Sequence, residues 1–374
     1  MKSEQIRWSE QAGWSTVDKT LAEQKDLVLV FFDHPSCLTQ EWYQELSDIY
    51  PNAIIAGASS SGSVMDTVIS DLDAVATAIS FERSRVRCVS KKVADFTDME
   101  EFGISLGKEL ISDTLRHVFI LSDGLAVNGS ELARGLSHIL PDGVSITGGM
   151  AGDGTRFGTT YVIAQGKAET GIVAAIGIYG DTLRARSGCS AGWEEFGAER
   201  RITHSEGNTL YTIDDKPALE LYKSYLGEFA SALPGSGLRF PMSVRNNINS
   251  TPLIRTLLAI DEERQSLTFA GDIPNGGFCR LMKTNMDSLI EHAGLAAEAS
   301  KIDHDEEFLV LLVSCVGRRL VLGQLCEEEL EIIREILGEK AIITGFYSYG
   351  ELSEVGESRC TLHNQTMTLV SLYE

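Results

Sequence analysis

FLVLLVSC at residues 308–315, EEELEIIREILG at 327–338 and AIITGFYSYGE at 341–351 decide the fold. They read as an apolar strand, an amphipathic helix, a second apolar strand and a glycine loop. Gly338 stands where a helix C-terminus takes a residue of positive φ. The same unit occurs twice more. LVLVFF (27–32) precedes a stripe of Trp42, Leu46 and Ile49, whose spacings of four and three put them on one helix face, and then AIIAGASSSG (53–62). HVFILSDG (117–124) precedes SELARGLSHIL (130–140) and VSITGGMAGDG (144–154). The first and third copies share Ala-Ile-Ile, then Gly, Ser and Gly at matching places.

Strands this apolar, joined through a helix, imply parallel pairs covered by helices, with each glycine loop leaving a carboxyl edge where open sheets bind ligands. Around the second copy lie an expected hairpin over 74–92 and a helix near Met99–Leu115. Around the third lie hairpin strands over 254–282 and a helix near Met286–Ala299. The order of elements thus repeats at an offset of roughly 190 residues, as a duplication would give. The expected class is α/β: two related halves with mixed β-sheets flanked by helices, each half carrying strand-helix-strand-glycine-loop units. Pro217 suits a first helical position and Gly227 that helix's end, and ALPGSGLRFP (232–241) reads as connector. The boundary is placed at residue 222, giving domains 1–222 and 223–374.

At 374 residues, with 43% hydrophobic and 23% charged residues, the chain can build two substantial cores. Its 32 Lys and Arg against 54 Asp and Glu give a net charge of −22, which argues against nucleic acid or an anionic membrane as partner. The N-terminus lacks an apolar run of signal length, and the apolar stretches fall far short of the ~20 residues that span a bilayer. The expectation is a soluble, cytoplasmic protein. The seven cysteines are scattered, without a C-x-x-C pair, and suit reduced thiols better than a disulfide frame or zinc site.

The nucleotide-cofactor, P-loop, zinc-protease, EF-hand and kinase signatures are all missing from the sequence. A nucleophile elbow around Ser59 would need glycine at 61, where Ser61 stands. Ala-Gly-Asp occurs twice, ending at Asp153 and Asp272, and either carboxylate can meet an amine or cap a turn. Arg318 and Arg319 follow an apolar strand, where a guanidinium can grip a carboxylate or form a plain ion pair. No histidine pair has metal-ligand spacing, but a lone haem ligand leaves no spacing to read; His34, His204 and His363 are the candidates, each equally readable as structural.

LSDG (121–124), ITGGMAGDG (146–154), GWEEFG (192–197), the GNTLYTIDDKPALELY stretch (207–222), FPMSV (240–244), FAGDIPNGG (269–277), CVGRR (315–319), TGFYSYGE (344–351) and HNQTMT (363–368), taken in order, resemble the FIST family, which pairs an N-terminal and a C-terminal FIST domain. The resemblance implies a sensory, non-enzymatic protein that binds a small ligand and signals to a partner in trans. A stand-alone subgroup of this family binds haem, senses nitric oxide and regulates a histidine kinase, and that is the expectation carried forward. The alternative is a receptor for an amino acid or related metabolite, with Asp153 or Asp272 on an ammonium and Arg318 or Arg319 on a carboxylate. A third is an enzyme using Cys315 or Ser59. Ser59, Ser60, Gly149, Tyr347, Tyr349 and Asn364 complete the expected ligand-binding set.

Overall fold

The computed structural model describes residues 1–355 and 358–374. The three copies of the unit become the centres of three mixed sheets. Leu27–Phe32 runs parallel to Ile54–Ser59, Leu115–Ser122 to Ser145–Met150, and Phe308–Cys315 to Ala341–Ser348. Each first strand also pairs antiparallel with a later one: Ala74–Ser80, Ile172–Tyr179 and Met367–Tyr373 respectively. The expected α/β class, with mixed sheets, flanking helices and related halves, is what the chain forms.

The three sheets are tied together by a cyclic exchange of strands. Ser63–Met65, leaving the first sheet, pairs with Ala341–Ser348 of the third. Gly350–Val355, leaving the third, pairs with Ser145–Met150 of the second. Val162–Ala164, leaving the second, pairs with Ile54–Ser59 of the first. The exchange closes into a ring with pseudo-threefold symmetry. One consequence is visible at Gly57, Gly148 and Gly345, which occupy equivalent places. A Cβ there would lie 2.1, 2.1 and 1.8 Å from the carbonyl oxygens of Val30, Ile120 and Leu312, so each parallel pair closes only over glycine.

The inner faces of the sheets meet in one apolar core, where Phe31 stacks on Phe346 at 4.7 Å beside Leu29, Phe119, Leu121, Leu311 and Val313. The outer faces are covered by helices whose apolar stripes complete three further cores. Gln40–Ile49 covers the first sheet, Met99–Lys108 and Gly129–Ile139 the second, and Met286–Ser300 with Cys326–Leu337 the third. Between Arg184–Ser190, the edge strand of the third sheet, and Met286–Ser300, packed on that sheet, the chain inserts a β module with its own core. Its strands run in the order Leu253–Arg255, Met242–Arg245, Phe278–Lys283, Glu194–Glu206, Thr209–Ile213, Ser266–Phe269, Leu257–Asp261, with helix Ala218–Leu226 against them.

Several sequence expectations change. Residues 74–92 form no hairpin: Ala74–Ser80 lies in the first sheet and Arg85–Lys92 in the second. The intervening turn is held by the Glu374 carboxylate, which accepts from the backbone N–H groups of Glu82, Arg83 and Ser84 at 2.7, 2.9 and 2.5 Å. The helix expected to reach Leu115 ends at Lys108, and Leu115 opens the next strand. Pro217 lies one place outside its helix, as the cap of Ala218–Leu226, whose end is Gly227 at φ 57°. Residue 222 falls inside that helix.

Candidate functional site

A cleft of about 660 Å³ lies between the carboxyl edges of the second and third sheets and the β module. The ring supplies the loop Gly124–Gly129, Met150, residues Cys315–Gly317 and Tyr349, and the module supplies Leu238, Thr256–Leu258 and Phe269–Gly271. Buried Asp123 shapes the first loop by accepting from Leu125 and Ala126 N–H at 2.8 and 2.9 Å, from the Thr160 hydroxyl and from Gly171 N–H. Asn128 then caps helix Gly129–Ile139 by accepting from Ser130 and Glu131 N–H. At the rim the Phe157 ring stacks on Tyr349 at 4.7 Å, and the Tyr349 hydroxyl donates to Asp153 and to Gly154 O. Leu125, Phe157 and Leu258 are each more than 40% exposed there, an apolar lip open to solvent.

The chemistry of the wall is uniform. Among the described residues no charged side chain lines it, although the chain carries a net charge of −22. Its polar side chains are largely committed: Asn128 to the helix cap and to Asp272, Asn208 to Phe269 O, Tyr349 to Asp153. The exception is the Thr256 hydroxyl, which is buried and has no hydrogen-bond partner among the described residues.

Of the ligand-binding residues expected from sequence, Tyr349 lines this cleft and Asp272 lines a neighbouring cavity. The others are engaged in holding the ring. Ser59 Oγ accepts from Tyr161 N–H, Ser60 Oγ bonds Ser63 Oγ at 2.9 Å, and Gly149 faces Val313 and Phe346 with no room for a Cβ. Asp153 accepts from Gly158 and Thr159 N–H at 2.9 and 3.0 Å, which is the turn-capping role. Arg318 is fully buried and closed on Glu329, so it is not offered to a ligand carboxylate; Arg319 holds Asp71 and Ser61 O. Tyr347 is buried with its hydroxyl 3.5 Å from Glu329 Oε2. Asn364 is buried and bonds the His363 carbonyl.

The three haem-ligand candidates sit in different surroundings, and none of them lines the cleft. His34 packs on Trp8 and accepts from Ser36 N–H, and His204 stacks on Tyr211. His363 is buried, with Nε2 near Thr361 Oγ1 at 2.9 Å and Ser353 O at 3.2 Å; burial, assisted by the Arg255 charge, lowers its pKa to about 4. No histidine lines the cleft among the described residues, and its soft donors are Cys315 and Met150. The Cys315 thiol is pushed up by burial, with nearby Glu351 adding to the shift, so with nothing bound it is a neutral thiol at neutral pH. Among the described residues no group of three or more His, Cys, Asp or Glu is placed to hold a metal ion, and no helix is long and apolar enough to cross a membrane.

The chain is thus an α/β protein whose glycine loops and inserted module enclose an apolar cleft at the sheet edges. The comparisons with known proteins specify it further: residues 26–216 match the FIST N domain and residues 218–354 the FIST C domain, so the chain belongs to the FIST family. That is a family of signal-transduction sensors that bind small ligands, not a known enzyme family. An uncharacterized protein of Methanocaldococcus jannaschii is 26% identical over 235 residues, which are 56% of this chain and 45% of that protein. The chain therefore spans about half the length of the relative it matches.

Sequence reasoning did not single out Thr256, Arg255 or the loop after LSDG as site-forming. A signal was present in LIRTLLAI (253–260), where arginine and threonine interrupt an apolar strand pattern.

Proposed function

We propose that the cleft binds a neutral, mainly apolar small molecule, and that its occupancy alters how the β module packs on the ring, a change read by a signalling partner such as a histidine kinase. The observation that carries this reading is the uncharged wall. A zwitterionic amino acid would bring two charges into the cleft with no countercharge on either, a costly burial. The area offered to a ligand is mainly apolar, and the unpartnered Thr256 hydroxyl, buried just behind the wall, is the polar group a small shift would open to it. Because ring and module each form part of the wall, a ligand touching both favours whichever packing gives it the better contacts, and it shifts the equilibrium only by that difference. Among the described residues no imidazole lines the cleft, so a haem there would have no histidine from the wall to hold its iron.

The test uses N-phenyl-1-naphthylamine, an uncharged probe whose emission rises in apolar surroundings. Saturable enhancement is expected with the natural chain, and a loss of about tenfold in affinity with Ala126→Trp, which fills the cleft from an exposed position. A neutral ligand at about 100 times its Kd should also add about 2.7 kcal/mol of stability. Equal probe binding by the variant would overturn the reading. Tight binding of a zwitterionic amino acid, or a Soret band displaced from that of free haem on adding haemin, would replace it.

A further inference from the structure

Beside the cleft, and partitioned from it by a wall one residue thick, lies a second cavity of about 440 Å³. Adjacent residues divide between the two spaces: Gly129, Thr256 and Gly271 line the cleft, whereas Ser130, Arg255 and Asp272 line the second cavity. Leu362 lines both. The alternation at 255 and 256 follows from extended backbone, where successive side chains point to opposite sides.

The chemistry of the second cavity is the reverse of its neighbour's. Its wall carries Arg134, Arg245 and Arg255 against one acid, Asp272, in a protein of net charge −22. Asp272 is already claimed: Oδ1 accepts from Asn128 at 3.0 Å and Oδ2 from Arg134 Nη1 at 2.9 Å. Arg245 donates to Glu199 and to Ile248 O, each at 2.7 Å, and its buried Nε has no partner among the described residues. Arg255 is only 3% exposed, yet among the described residues it makes no ion pair. It donates to neutral carbonyls: Nε to Asp272 O at 3.1 Å, Nη1 to Ile254 O at 3.2 Å and to Leu362 O at 3.0 Å. Its Nη2 has no hydrogen-bond partner among the described residues. Burial lowers its pKa to about 10, Asp272 opposing the shift, so the guanidinium remains charged at neutral pH.

A buried cation whose hydrogen bonds all go to carbonyls, and whose one nearby acid, Asp272, is already paired with Arg134, lacks a countercharge of its own to make such burial favourable. The protein's overall field repels anions, so any anion held here is held by local contacts. We propose that the second cavity is an oxyanion site, in which the carboxylate or phosphate of a small metabolite is bound by Arg255 with Arg245 beside it. A planar guanidinium with a free nitrogen edge suits two-point recognition of either group. The site is independent of the neutral-ligand reading, since it concerns a different cavity and a different chemistry.

The test is thermal unfolding of the full chain at constant ionic strength, with chloride exchanged for inorganic phosphate or for succinate. The natural chain's midpoint should rise saturably with at least one of them, the effective anion naming the source. Arg255→Met keeps the stem and removes the charge, and should weaken that anion about tenfold or more. If this variant does not fold, Thr251→Trp, at an exposed position lining the same cavity, should abolish the response. Identical midpoints in all three salts, or a response that survives both substitutions, would overturn the proposal.

Discussion

Arg318 and Arg255 are both arginines sealed inside an acidic protein, and they sit in opposite circumstances. Arg318, on helix Val316–Leu322, donates through Nε to Glu329 Oε1 at 2.9 Å and through Nη2 to the same carboxylate. It also reaches Ala191 O at 2.5 Å and Leu289 O at 2.7 Å. Both partners are fully buried, and the helices that carry them are locked against the third sheet. Arg255 has a similar set of carbonyls and, among the described residues, no acid within ion-pair distance. The difference teaches that burial of a guanidinium does not mark a ligand site; an uncompensated charge facing a cavity does.

The sharpest way to break this comparison is to remove the acid from the closed pair. Glu329→Gln leaves the Arg318 charge buried without its partner, and a loss of about 3–5 kcal/mol is expected in urea unfolding. Arg255→Met, measured in chloride alone, removes a charge that had no counter-ion and should cost less than half as much. Equal losses would mean that the carbonyl cage compensates Arg255 as fully as Glu329 compensates Arg318, and the distinction would fall.

A smaller effect is set by pH, through two neighbours that face the two arginines from paired strands. Glu351 stands opposite His363 in the register of Gly350–Val355 with Ser358–His363. Burial raises the Glu351 pKa to about 7, against hydrogen bonds from Ser348 and Thr366 and the charge of Arg318. Its folded value lies above its unfolded one, so its contribution is intact below about pH 4.5 and is lost as pH rises to about 7, on the order of 3 kcal/mol. His363, lowered to about 4, and His117, lowered to about 3 by burial, behave oppositely. Their contribution is present above about pH 6.5 and is lost as pH falls through those folded values, on the order of 3–5 kcal/mol each. Between pH 4.5 and 6.5 the two histidines outweigh the one carboxyl, so stability should increase with pH. In Glu351→Gln that increase should steepen, because the opposing group is gone. An unchanged slope in urea titrations across this range would show that Glu351 is ionised throughout.

How far the sequence disclosed this arrangement follows from which forces are local. The strands Leu27–Phe32 and Phe308–Cys315 are buried along their whole length, so their unbroken apolar runs identified them, and helix Cys326–Leu337 showed itself through its apolar stripe and Gly338. The ring did not show itself. Ser63–Met65 and Val162–Ala164 are three-residue strands whose partners lie hundreds of residues away or in another unit, and short strands carry no periodicity. The turn after Ser80 was misread for the same reason, since what organises it is Glu374 at the far end of the chain. Tyr349 and Asp272, singled out because they sit in glycine loops at strand ends, line the cleft and the neighbouring cavity respectively. Arg318 looked just as suitable, and only the fold reveals that CEEEL at 326–330 delivers Glu329 to it.

The finest discrimination uses His363 as a reporter on Arg255. Burial is the larger cause of its lowered pKa and survives substitution at 255, whereas the Arg255 charge is a smaller cause that can be removed. In Arg255→Met the histidine's titration, followed by NMR, should therefore move upward by a fraction of a unit, since one like charge is lost from a low-dielectric neighbourhood. An oxyanion on Arg255 neutralises the same charge without mutation, so phosphate or succinate should displace the His363 titration in the same direction in the natural chain and leave Arg255→Met unaffected. Displacement of equal size in both proteins would place the anion elsewhere and leave Arg255 as compensated, by its carbonyls alone, as Arg318 is by Glu329.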